Sequence, residues 1–130
     1  MSVEDTAALV ELAKNEAADL VVVGPEVPLV NGLADDLIAA DIPVFGPHAA
    51  AARLEGSKAF ARDFCERHNI PQPKWQNFTK AEAATAFAAE LNGYCVIKAD
   101  GLAAGKGVVI CSNFQEAEQA IIELLGGRFG

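Results

Sequence analysis

"VIKADGLAAGKGVVI", residues 96–110, decides how the second half of the chain folds. Two runs rich in valine and isoleucine flank "GLAAGKG" (101–107), a seven-residue turn with three glycines. A parallel connection needs a dozen or more residues, usually a helix. This turn is too short, so "YCVIKAD" (94–100) and "VVICS" (108–112) are predicted to pair as an antiparallel hairpin. Gly101, Gly105 and Gly107 permit positive φ and close backbone approach. Several N–H groups can then converge on an anion. Lys106 lies inside the turn and Lys98 on the strand before it.

The turn is not a Walker loop. That motif has four residues between its first glycine and Gly-Lys, then Ser or Thr, then a helix. Here three residues intervene, Gly107 stands in the hydroxyl position and a strand follows. A dinucleotide fingerprint must open a helix, and this turn does not. Two readings remain open. One is a glycine-rich flap covering phosphates, as in protein kinases. The other is a plain turn with surface lysines. Lys98, read as mid-strand, favours the first, because a buried lysine needs an anionic partner.

Working outward, "FQEAEQAIIELL" (114–125) is predicted as a helix opened by a Ser112–Gln115 capping box. Thr79 and Glu82 give the same signature before "KAEAATAFAAEL" (80–91). Ser57 is expected to cap "KAFARDFCERHN" (58–69), with Phe60, Ala61, Phe64 and Cys65 on its buried face and "IPQP" ending it. "KWQNF" (74–78) reads as a short strand or an extended entry.

The first half alternates differently. Residues 4–16 read as a helix with Leu9, Leu12 and Ala13 inward. "DLVVVG" (19–24) reads as a strand buried on both faces, followed by helical spacing through Leu29, Leu33, Leu37 and Ile38. "IPVFG" (42–46) is a second strand and "HAAAARLE" (48–55) a helix stopped at Gly56. Strand–helix alternation of this kind implies a doubly wound α/β sheet. The change of style near residue 56 implies a domain boundary there.

Ligands of open α/β sheets bind at the carboxyl ends of the strands. "GPEVPLV" (24–30) occupies such an end, which makes Gly24, Pro25 and Glu26 substrate-binding candidates beside the plainer reading of a helix cap. Lys58, at the first helical position after Ser57, opposes the helix dipole. On spacing alone it reads as a surface lysine. His48 and His68 have no partner at nucleophile or metal spacing, and Asp35–Asp36 reads as a solvated helix face.

Composition narrows the function. With 130 residues, 52% of them hydrophobic, the chain can bury a core. A formal net charge of −8 repels nucleic acid and anionic membranes, so no partner of either kind is expected. Three widely spaced cysteines, with no C-x-x-C pair, read as reduced thiols of a cytoplasmic protein. The acidic, amphipathic "MSVEDTAALVELAKNE" (1–16) does not read as a signal peptide, and the longest apolar run here is too short to span a bilayer.

"VVVGPEVPLVNGLADDL" (21–37), "PVFGPHAAAARLEGSKAFARDFCERHNIPQP" (43–73) and "VIKADGLAAGKGVVI" together resemble the phosphoribosylamine–glycine ligases, or glycinamide ribonucleotide synthetases, of the ATP-grasp superfamily. The resemblance implies an ATP-dependent ligase of purine synthesis. It would join phosphoribosylamine and glycine through a glycyl phosphate, with Mg²⁺ on the phosphates. It implies that Lys58, Lys98, Gly101, Gly105, Lys106 and Gly107 contact ATP, and that Gly24, Pro25 and Glu26 face the phosphoribosylamine or glycine.

It also implies the second half of a Rossmann-like pre-ATP-grasp domain over 1–56, a connecting helix over 57–74 and a truncated lid subdomain over 75–130. On that reading the chain is a fragment, expected to be inactive alone. No catalytic residue is assigned within it, its Mg²⁺ ligands would lie downstream of Gly130, and its parent could be fused to other purine-synthesis domains. Another ATP-grasp ligase or carboxylase with a different acid, or a non-catalytic nucleotide-binding domain, are the alternatives. Relative to the family pattern, His48 follows "FGP" where a small or hydroxyl residue is expected, and Gln72 replaces a threonine.

Overall fold

A computed structural model describes residues 2–101 and 107–126 of the chain. Gly105 and Lys106 lie outside the described residues. The chain divides into two compact units, Met1–Phe64 and Cys65–Gly130.

In the first unit, helix α1 spans Thr6–Asn15. The Asp5 carboxylate accepts from the Ala8 amide at 3.0 Å and caps it. Strand β1 is Val21–Val22, helix α2 Glu26–Val30, helix α3 Leu33–Ala39, strand β2 Val44–Phe45 and helix α4 Ala49–Gly56. β1 and β2 pair in parallel, Val21 with Val44 and Val22 with Phe45. Two helices connect them, so the alternating α/β reading holds for this unit. Its core gathers Val10, Ala13, Leu33, Leu37 and Ile42, with Val21, Val23 and Val44 packed against them. A second cluster, Leu29, Ala34 and Ala52, joins α2, α3 and α4.

Three expectations are corrected here. The run after β1 is two helices, not one: Asn31 closes α2, and Gly32, at φ +93°, turns the chain before α3. Only glycine adopts that backbone freely. Leu29, Leu33 and Leu37 are buried, but Ile38 is exposed, because the break resets the helical phase. On α1 it is Val10, not Leu12, that joins Ala13 in the core. β1 is covered on one face only: Leu20 and Val22 are exposed, as is Phe45 beside Val22.

Helix α5, Lys58–Arg67, crosses the division between the units. The Ser57 hydroxyl accepts from the Phe60 amide at 3.1 Å, the expected cap. Phe60, Ala61, Phe64 and Cys65 are half-buried rather than buried. The helix stops before the prolines. Asn69 takes a left-handed φ of +53°, which asparagine tolerates, and the Ile70 amide donates to the Cys65 carbonyl at 2.8 Å.

The second unit holds helix α6 (Ala81–Glu90), strands β3 (Tyr94–Lys98) and β4 (Val108–Ser112), and helix α7 (Phe114–Leu125). β3 and β4 form the predicted antiparallel hairpin, Tyr94 opposite Ser112 and Lys98 opposite Val108. One face packs on the helices: Cys111, Ala88, Ala117, Ala120 and Ile121 are buried, with Cys95, Ile97 and Val109 against them. The other face is open, and Tyr94, Val96, Val108 and Ile110 are exposed on it. Residues 74–78 form no strand; Phe78 meets the Phe87 ring at 5.5 Å, tying this entry segment to α6.

Neither predicted capping box forms as drawn. α6 starts after Lys80, with no side-chain cap, one residue later than the Thr79–Glu82 pattern requires. At α7 the cap is Asn113, one residue past Ser112. Its carboxamide oxygen accepts from the Glu116 amide at 2.9 Å, while the Glu116 carboxylate accepts from the Ser112 amide at 2.8 Å. Asparagine is among the best N-cap residues, so it displaces serine from the role.

Candidate functional site

Three places carry the predicted residues. The first is the carboxyl edge of the parallel pair. The Val23 amide donates to the Phe45 carbonyl at 3.1 Å, and just beyond it both strands leave the sheet through Gly-Pro turns. Gly24, Pro25 and Glu26 are all exposed, with Glu26 opening α2. The two turn glycines differ. A Cβ on Gly46 would sit 2.8 Å from Leu29 Cδ2, so its bareness serves packing. A Cβ on Gly24 would meet nothing within 4 Å, so packing in this unit does not demand glycine there.

At the same edge is a pair that the sequence reading left without a role. His48 Nδ1 lies 2.8 Å from Asp35 Oδ1, and Asp35 Oδ2 accepts from the Ala49 amide at 2.7 Å. Asp35 is therefore not simply a solvated face: from α3 it caps α4. The available signal was that α4 starts without a capping side chain of its own, since His48 makes no cap bond. The Ala49 amide first, and His48 second, hold the Asp35 carboxyl below its ordinary value.

A depressed folded pKa has a definite sign. The contribution is present above the unfolded carboxylate value near ~3.9 and fades as pH falls through the lower folded value. Asp35→Asn is expected to lower the unfolding midpoint of the Met1–Phe64 unit at neutral pH, with the deficit closing as the wild type is acidified below that range. Thermal melts of both proteins across acid pH check this. A deficit independent of pH would contradict it.

The second place is the start of α5. Lys58 is its first residue and is half-buried. The Arg53 guanidinium lies 4.1 Å from the centroid of the Phe60 ring, so cationic side chains gather near this helix start.

The third place is the hairpin end. Lys98 closes β3, and the Ala99 amide donates to the Gly107 carbonyl at 2.7 Å, extending the ladder by one pair. Gly101 adopts φ +88°, and a Cβ there would meet nothing within 4 Å. Gly107 is buried. One argument is corrected: Lys98 ends its strand and is exposed, so no desolvation forces a partner on it within this unit. The structure thus brings Lys98, Gly101 and Gly107 to one end of the hairpin, whereas Lys58 belongs to the other unit. Among the described residues no group of three or more His, Cys, Asp or Glu could hold a metal ion, and no helix is long and apolar enough to cross a membrane.

An α/β unit followed by an antiparallel, glycine-tipped hairpin backed by helices defines the class. Residues 56–130 match the family described as "Phosphoribosylglycinamide synthetase, ATP-grasp (A) domain". Residues 1–55 match its "N domain". The chain belongs to the phosphoribosylglycinamide synthetase family. Among similar curated proteins, the phosphoribosylamine–glycine ligase of Escherichia coli O6:H1 is 53% identical over 128 residues, 98% of this chain and 30% of that protein. The ligases of Escherichia coli K12 and Vibrio cholerae are 52% and 51% identical over the same shares. The chain therefore spans about 30% of the length of these relatives.

Proposed function

We propose that the protein carrying these residues is a phosphoribosylamine–glycine ligase, coupling ATP consumption to amide formation between glycine and 5-phosphoribosylamine. What carries the reading is a hairpin end with Lys98 and an unobstructed, left-handed Gly101, in a chain 53% identical to a ligase of that name. In this reading residues 1–56 are the second half of a Rossmann-like pre-ATP-grasp domain, 57–74 the connecting helix and 75–130 part of the lid. Three free, unpaired thiols and the acidic charge suit a cytoplasmic enzyme.

The residues present fit a triphosphate. The Lys98 ammonium supplies a counter-charge at the hairpin end. Gly101 has no side chain to hinder close approach, and Gly105, Lys106 and Gly107 are assigned to the same phosphate-covering turn. Lys58 adds a cation at a helix start, where the amides are already electropositive. Gly24, Pro25 and Glu26 are assigned to the amine or ribose side, Glu26 accepting hydrogen bonds from N–H or hydroxyl groups. ATP, when bound, supplies the phosphoryl group that activates the glycine carboxylate, and Mg²⁺ would share its phosphate charge. The residues named here act by positioning and electrostatic stabilisation.

The test is ADP release by the intact protein. Release is expected to require glycine and phosphoribosylamine together. Equal release with another carboxylic acid in place of glycine would overturn the assignment.

A further inference from the structure

Cys95 and Cys111 take no part in the proposed chemistry, yet they are direct register partners across the β3–β4 hairpin. Both face the helices, Cys111 at 3% exposure among Ala88, Ala117, Ala120 and Ile121, and Cys95 half-buried beside it. Residues directly opposite each other in an antiparallel ladder have Cα atoms about 4.5–5.5 Å apart. Disulfides span Cα separations of roughly 4.4–6.8 Å, so the backbone already has the spacing for one. Both thiols are free, each leaning on a carbonyl two residues earlier: Cys95 on Gly93 at 3.7 Å and Cys111 on Val109 at 3.8 Å. Those contacts are weak enough to give up for a rotation about Cα–Cβ.

We propose that Cys95 and Cys111 form a reversible disulfide across the hairpin, a thiol-oxidation site that clamps β3 to β4. The oxidant is a low-molecular-weight disulfide. The Cys95 thiolate, the more accessible of the two, attacks one sulfur of the oxidant, and one small thiolate leaves. The Cys111 thiolate then attacks the Cys95 sulfur of the mixed disulfide and expels the second. Two protein S–H bonds are exchanged for one S–S bond, and the oxidant is reduced to two thiols. Burial raises both thiols above their ordinary value, and on Cys111 the neighbouring Cys95 and Glu116 add to this. Exchange is therefore slow at neutral pH and faster in mild alkali.

The test uses the intact protein with oxidised glutathione at mildly alkaline pH, without denaturant, followed by alkylation and non-reducing peptide mapping. Expected is a Cys95–Cys111 cross-linked peptide, with no glutathione retained on either residue and full reversal by dithiothreitol. Cys95→Ser should abolish the cross-link and leave Cys111 alkylatable, while Cys65→Ser should change nothing. Should Cys111→Ser fail to fold, the half-buried Cys95→Ser still decides. A persistent glutathione adduct on Cys95, or no loss of these two thiols, overturns the proposal.

Discussion

Gly93→Ala is expected to unfold the Cys65–Gly130 unit. Gly93 follows Asn92 in a left-handed turn, at φ +75°, where its amide donates to the Ala88 carbonyl at 2.9 Å and leads α6 into β3. A side chain at positive φ costs about 1–2 kcal/mol by itself. Here the added Cβ would also collide with the main chain of Asn113 and Phe114. Main chain at that point cannot retreat without breaking the Asn113–Glu116 cap that starts α7. Together these place the loss at about 4 kcal/mol or more, a large part of any small domain's stability. Gly101→Ala is the control, since φ there is also positive, +88°, but the space is open. It should lose only the backbone cost of about 1–2 kcal/mol. Denaturant titration of both variants in the same chain separates the two mechanisms, and equal losses would refute the steric account.

Lys98→Ala in the intact protein is expected to weaken ATP binding by about 10- to 100-fold, from the roughly 1.5–3 kcal/mol of a hydrogen bond to a charged group. Because Lys98 is exposed at a strand end, the unfolding midpoint should stay at the wild-type value. That pairing of a binding defect with unchanged stability separates a ligand contact from a structural one. Isothermal titration with a non-hydrolysable ATP analogue, run beside a thermal melt, reads both. Wild-type affinity in the variant would remove Lys98 from the site.

The hairpin and its final helix were legible because their signals are local. Seven residues between two β-branched runs admit only a tight reversal, and the α7 limits, Phe114–Leu125, follow from periodicity between Asn113 and Gly126. The Ser57 cap was legible for the same reason. What escaped depended on partners distant in sequence. Asp35 looked solvated because the amide it caps lies fourteen residues on. Val22 looked buried because an apolar run does not state how many layers cover it. Leu12 and Val10 compete for one side of α1, and only the position of α3 decides between them. For the site, residue types and spacing placed Lys98 beside the glycine turn, but not at a strand end on the open face, so the burial argument attached to it failed.

Tyr94 is the sole tyrosine of the chain and lies 73% exposed on the open side of the hairpin, away from the helices. Fluorotyrosine incorporated into these 130 residues would therefore give one fluorine resonance, reporting from that surface alone.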